Sequence, residues 1–242
     1  MGKKKRTAAT SSQRRRDNRS IVATVYVALV LCLVPLADLC AQAEITIADC
    51  GTLENAYGPF DYRDPANSAP QPGGAESPLS LVEGGHFNAD VENLVRGLST
   101  ADPLGDLEYT LRAFPNHHRA LYAMARYHLR RGLGMHGRYS IDCWFERAIR
   151  FRPDDAVVYM IKGVFLARSG RKEEALDPYL QALELDDTLA EAHYNIGLLY
   201  ADLGNYEAAL RHAQTAYRMG YPLPGLRNQL QDAGVWNQQK DE

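Results

Sequence analysis

The chain has 242 residues, 45% of them hydrophobic and 24% charged, enough apolar content for one ordinary domain plus an appendage, which excludes disorder along the whole length. Its net charge of −3 is unevenly spread: residues 1–43 hold eight of the 27 Lys and Arg but only two of the 30 Asp and Glu, which leaves 44–242 at −9. An acidic body has no broad basic footprint to neutralise a run of phosphates, so nucleic acid is excluded as its main ligand.

The first element is a leader. Lys3, Lys4, Lys5, Arg6, Arg14, Arg15, Arg16 and Arg19 precede a run from Ile21 to Leu36 that carries no charge. A basic flank followed by an apolar run reads as an export signal. Sixteen residues of helix span about 24 Å, short of a hydrocarbon core of roughly 30 Å, and Ala41-Gln42-Ala43 offers small residues for cleavage. The expected outcome is a periplasmic protein cleaved near Ala43. The alternative is an inner-membrane anchor over 21–39 with its basic end in the cytoplasm, the only membrane contact expected of the chain.

Residues 44–63 show no regular period and read as an irregular strip carrying Gly58-Pro59 and the aromatics Tyr57, Phe60 and Tyr62. Cys32 and Cys40 fall in the leader, so Cys50 and Cys143 are the cysteines left to the mature chain. In an oxidising compartment the two can pair, closing a loop that would remove on the order of 4.5 kcal/mol of unfolded-chain entropy. Two unrelated buried thiols are the other reading. Residues 64–80 are rich in Pro, Gly and Ser and read as a flexible linker.

From 88 to 234 the pattern is helical. Asn88 is placed to cap a helix with Val91, Leu94, Val95 and Leu98 on one face, and a second helix is expected near Gly105 to Phe114, stopped by Pro115. A shift of 34 then superposes Gly163 on Gly197, Leu166 on Tyr200, Gly170 on Gly204, Ala175 on Ala209 and Ala182 on Ala216. The small residues allow paired helices to approach closely, and Gly170 and Gly204 suit a left-handed turn between them. On these residues the chain resembles the tetratricopeptide-repeat (TPR) family. The stretches Cys143–Asp155 and Gly220–Leu230 add a likeness to exported bacterial repeat proteins.

The resemblance implies an all-α, right-handed TPR-type solenoid of about three repeats, at 118–155, 156–189 and 190–223. A cap follows at 225–233 and a tail at 235–242. The first repeat is degenerate, with Phe145, Ala148 and Pro153 in register and a longer turn at Gly132, Gly134 and Gly137.

No phosphate loop, dinucleotide fingerprint, nucleophile elbow or metalloprotease helix occurs. His117-His118 is the one adjacent histidine pair, and neighbouring helical residues point about 100° apart, so the two read as a capping and a surface residue rather than as ligands of one metal. No catalytic residue, metal or cofactor is expected. The function implied is a non-catalytic scaffold of the cell envelope that binds a protein or peptide segment on the concave face of the solenoid. The second reading is an accessory subunit of an envelope enzyme or transport complex, or a metal- or small-ligand-binding protein.

The family's concave positions fall on Arg119, Tyr122, Arg126 and Arg130 of the first repeat, Met160, Val164 and Arg168 of the second, and Glu191, Tyr194, Asn195, Leu198 and Asp202 of the third. Four arginines entering one groove of an acidic body form a local positive patch suited to carboxylates. The other reading pairs them with acids such as Asp106 or Glu108.

Overall fold

A computed structural model describes residues 50–236, and within them the chain is all-α, with eleven α-helices, two isolated β-bridges and no strand. The order is α1 (Pro65–Ser68), a single 3-10 turn (Pro72–Gly74), α2 (Pro78–His86), α3 (Ala89–Glu92), α4 (Leu104–Ala113), α5 (His118–Arg131) and α6 (Ile141–Phe151). Then come α7 (Ala156–Arg168), α8 (Lys172–Leu185), α9 (Ala190–Asp202), α10 (Tyr206–Arg218) and α11 (Gly225–Asp232). The expected leader, with its cleavage site or anchor helix, lies outside the described residues. Among the described residues no helix is long and apolar enough to cross a membrane.

Successive helices pair and stack in the TPR manner: α7 packs on α8, α9 on α10, and α5 and α9 each lie against α7. The 34-residue period is visible in single bonds. Gly170 and Gly204 take φ of 85° and 78°, and the turns close through Arg171 N to Leu166 O and Asn205 N to Tyr200 O. Gly220 repeats the device after α10, with Tyr221 N donating to Ala216 O. Inside a pair, a Cβ on Gly163 would lie 2.6 Å from the Tyr179 ring, so this crossing of α7 and α8 has room only for hydrogen. Ala175, Ala182, Ala209, Ala213 and Ala216 are buried at the corresponding seams.

The N-terminal half is less regular than expected. Ser77 caps α2, whose first residues fall in the 64–80 stretch expected to be linker and whose remainder precedes the domain expected from 88, and α2 packs on α4 as a further helix pair. Asn88 does cap a helix, its Oδ1 accepting from Val91 N, but α3 ends after one turn. Leu94 takes φ 57°, and of the expected apolar face Val91 is buried while Val95 and Leu98 are exposed. The period was right locally, but the left-handed residue breaks it, so no long helix forms.

The strip at 50–63 is irregular and lies against α4, α6 and the turns beside them. Cys50 is joined to Cys143 with Cα atoms 5.0 Å apart. The Arg147 guanidinium, buried and pushed below its ordinary pKa by burial, donates to the carbonyls of Cys50 and Thr52 and lies over the Tyr139 and Trp144 rings. Arg150 holds the Gly51 carbonyl at 2.7 Å, and Phe60 packs on Phe114 at 5.3 Å while its N–H donates to Ala113 O. Buried Asp155 then ties the strip to two turns, accepting from Asn116 and His118 and facing Arg63 at 3.4 Å.

Candidate functional site

The first helices of the three TPR pairs, α5, α7 and α9, stand side by side and turn one face each away from their second helices. Residues spaced three or four apart fall on that face: Val164 and Arg168 on α7, and Tyr194, Asn195, Leu198 and Asp202 on α9. Together with Tyr122 of α5 they line a cleft of about 390 Å³. The far wall is supplied by Tyr221 and Leu223, in the short connection between α10 and α11. That connection is pinned by Tyr217, whose hydroxyl donates to Leu223 O at 2.9 Å and accepts from Arg227 N at 3.0 Å. Tyr221 stacks on Tyr194 with ring centroids 4.4 Å apart.

The walls are aromatic and aliphatic, with a few polar groups left available. Arg168 donates to the Tyr122 hydroxyl at 3.2 Å and makes no ion pair among the described residues. Glu191, exposed at the rim, has no ion-pair partner there either, and the Asn195 amide makes no hydrogen bond among the described residues. Lys172 and Asp202 neutralise each other at 2.7 Å; Lys172 holds Asp202 below the ordinary carboxylate range against the opposing effect of burial. Burial and then the charge of Glu191 push the Tyr221 phenol up to about 12, and the same two causes raise Tyr179. These phenols therefore face the cleft as neutral groups near pH 7.

Eight of the twelve expected concave residues meet in this cleft: Tyr122, Val164, Arg168, Glu191, Tyr194, Asn195, Leu198 and Asp202. Met160 is 8% exposed and belongs to the core. The expected four-arginine patch does not form, because α3 lies on the exposed face of α5. Arg119 donates Nε and Nη2 to the two Glu92 oxygens and Nη1 to Glu83. Arg126 donates to the Glu92 carbonyl and lies over the Tyr122 ring at 5.5 Å. Arg130 sits in a separate hollow with Leu94, Val95, Ala101, Pro103, Tyr127 and Arg131.

Hydrogen bonds from Arg119 hold Glu92 below the ordinary carboxylate range although burial acts the other way. The acid partners are therefore Glu83 and Glu92 rather than Asp106 or Glu108. Asp106 is buried, which opposes its charge, but it is kept ionised by His86, by Leu98 N and Ser99 N and by the Ser99 hydroxyl. Lys172, Tyr221 and Leu223 were not foreseen. The one signal for the last two was the rigid Tyr-Pro-Leu-Pro run after Gly220, which fixes a short wall rather than a loose link.

The adjacent histidines His117 and His118 turn to different partners. His117 Nδ1 accepts from Ala120 N as the cap of α5, its Nε2 faces Glu83 at 3.1 Å, and burial lowers its pKa. His118 Nε2 lies 2.9 Å from both Asp155 oxygens. No group of three or more His, Cys, Asp or Glu side chains that could hold a metal ion is present among the described residues.

Comparison with known proteins gives the repeats a name. A profile described as TPR repeat matches residues 163–204, and one described as tetratricopeptide repeat matches 190–219. The peroxisomal targeting signal receptor of Candida albicans is 41% identical over 80 residues, 33% of this chain and 13% of the receptor. The receptor of the same name from Saccharomyces cerevisiae is 37% identical over 129 residues, 51% of this chain and 17% of that protein. The TPR repeat-containing thioredoxin TTL4 of Arabidopsis thaliana is 38% identical over 68 residues, 28% of this chain and 10% of that protein. The chain thus spans less than a fifth of the length of these curated relatives.

These relatives are eukaryotic, two of them named for peroxisomal targeting, and they overturn the exported bacterial assignment: periplasmic after cleavage near Ala43, or anchored in an inner membrane by 21–39. That assignment rested on a basic flank and an uncharged run. Such a pattern is a matter of composition, weaker than position-by-position similarity across the repeats.

Proposed function

We propose that the chain is a non-catalytic interaction module that receives a segment of a partner protein in the cleft between α5, α7 and α9. The observation that carries this reading is the pattern of available groups. Among the described residues Arg168 and Glu191 make no ion pair and the Asn195 amide makes no hydrogen bond, on walls otherwise made of Tyr122, Val164, Tyr194, Leu198 and Tyr221. A groove that is mostly apolar, with a few convergent donors and acceptors, suits a peptide: side chains fill the apolar part while amide and charged groups fix its register. Relatives named as receptors for a targeting signal support the same kind of ligand, a short stretch of another polypeptide.

The test is a peptide array probed with the purified protein, followed by fluorescence titration of the strongest sequence. Asn195→Ala and Arg168→Ala should each weaken binding at least tenfold, with melting temperatures unchanged. Peptides that bind the double variant as tightly as the wild type would remove the cleft from consideration.

A further inference from the structure

Away from the cleft wall, the last complete helix pair holds two histidines against each other. His193 of α9 and His212 of α10 face one another with Nδ1 atoms 3.0 Å apart, ring centroids 5.2 Å apart and planes at 37°. Both rings are partly buried. The Tyr200 ring lies 5.7 Å from that of His212. Burial, then the charges of His193 and Arg211, push His212 down to about 4, and burial also lowers His193. The charged groups around them are Asp187, in the connection between α8 and α9, with Arg211 and Arg218 on α10. Arg211 is engaged with Glu207 at 2.6 Å and Arg218 with the Thr215 hydroxyl at 3.2 Å.

As it stands, one neutral ring donates its Nδ1–H to the lone pair of the other. Moving that proton to Nε2 of the same ring changes no charge and leaves two Nδ1 lone pairs side by side. With nitrogen about 2.05 Å from a tetrahedral zinc ion, two ligating nitrogens lie about 3.3 Å apart and their ring centroids about 5.2 Å apart. The observed centroid separation already has that value, and the nitrogens need to part by about 0.3 Å, a small rotation of each ring.

We infer that His193 and His212 form a two-histidine chelate for a borderline divalent cation of the zinc or copper(II) type. The ion is held between α9 and α10, with its remaining positions open to water. It would staple the two helices of the repeat that carries Tyr194 and Asn195, independently of what the cleft binds. Arg211 and Arg218 oppose a dication, so the site is expected to be selective for imidazole-seeking metals over magnesium or calcium, which need oxygen donors.

The test uses untagged full-length protein titrated calorimetrically with zinc chloride, alongside electron paramagnetic resonance of the protein with one equivalent of copper(II). The wild type should bind one ion, show coupling to two imidazole nitrogens and melt at a higher temperature with zinc than without. His193→Gln and His212→Gln should each weaken binding at least tenfold and abolish the zinc-dependent rise, while His86→Gln, on α2, changes neither. Zinc binding that all four proteins share equally, a copper spectrum without a second imidazole nitrogen, or no heat above that of buffer would each overturn the site.

Discussion

Gly163→Ala tests the packing on which the repeat stack depends. A methyl group at Gly163 would lie 2.6, 2.7 and 2.8 Å from three carbons of the Tyr179 ring, where ordinary contact begins near 3.5 Å. Relief needs a displacement of about 1 Å. Tyr179 is 2% exposed and held in the seam, so either its ring is pushed toward the cleft or α7 parts from α8. Overpacking of this kind costs about 1–3 kcal/mol, and three contacts with a rigid ring place it at the upper end. Replacing glycine within a helix returns about 1 kcal/mol, so the net loss is about 2 kcal/mol. For a domain of this size that lowers the melting temperature by roughly 4–8 °C.

The assay is a double-mutant cycle with Tyr179→Leu, followed by thermal and urea denaturation. With the ring gone, the glycine replacement should become neutral or stabilising by about 1 kcal/mol. A higher melting temperature for Gly163→Ala in the wild-type background would refute the reasoning, because propensity alone would then describe the site. Gly197→Ala is a built-in comparison: its added methyl meets the flexible end of Leu226, so it should cost less.

Three further outcomes are expected. Cys50→Ser, or reduction of the wild type, should lower stability by about 4.5 kcal/mol, since the bond closes a separation of 93 residues; equal melting temperatures with and without dithiothreitol would contradict this. Arg119→Ala should destabilise by about 1 kcal/mol in chemical denaturation through loss of Glu92 and Glu83, whereas Arg168→Ala should change stability by less than about 0.5 kcal/mol and act on peptide binding alone. His128 is fully buried with neither ring nitrogen hydrogen-bonded, and burial, then the charge of His136, lowers it to about 4. It is neutral in the fold but protonates near 6.5 when unfolded, so its contribution is complete above about pH 6.5 and declines as pH falls toward 4. His128→Leu should raise stability at pH 7 by about 1 kcal/mol and flatten that part of the pH profile.

The helix pairs were legible because each constraint repeats. A glycine at a left-handed turn, a small residue at a crossing and an aromatic opposite it recur 34 residues apart, and no other arrangement uses all three at once. The cleft was legible through the same register, since fixing Tyr194, Asn195 and Leu198 on α9 fixes Val164 and Arg168 on α7. What escaped was whatever does not repeat. α3 is one turn long and ends at a left-handed Leu94, so its sequence resembles the start of a longer helix. Nothing in periodicity tells Glu92 from any other exposed acid until Arg119 is seen beside it. Tyr221 and Leu223 reach the cleft from a connection whose path is set by a Tyr217 hydroxyl, a contact with no period at all.

This division has a physical counterpart along the chain. The family profiles match 163–219, the part whose concave face is open, while the preceding part departs from the repeat and is covered by its own chain. Glu92 shows that arginines on α5 do grip a carboxylate, with a backbone carbonyl beside it for Arg126. Arg119 and Arg126 are therefore occupied by the chain's own α2 and α3 and do not form the patch expected for a ligand. With Val91 and Phe87 buried behind it, α3 cannot leave without exposing core. Tyr122 and Arg168 consequently stand at the edge of an occupied surface, and the open part of the cleft is formed by α7, α9 and the pinned wall at Tyr221, the segment in which the repeat pattern is best kept.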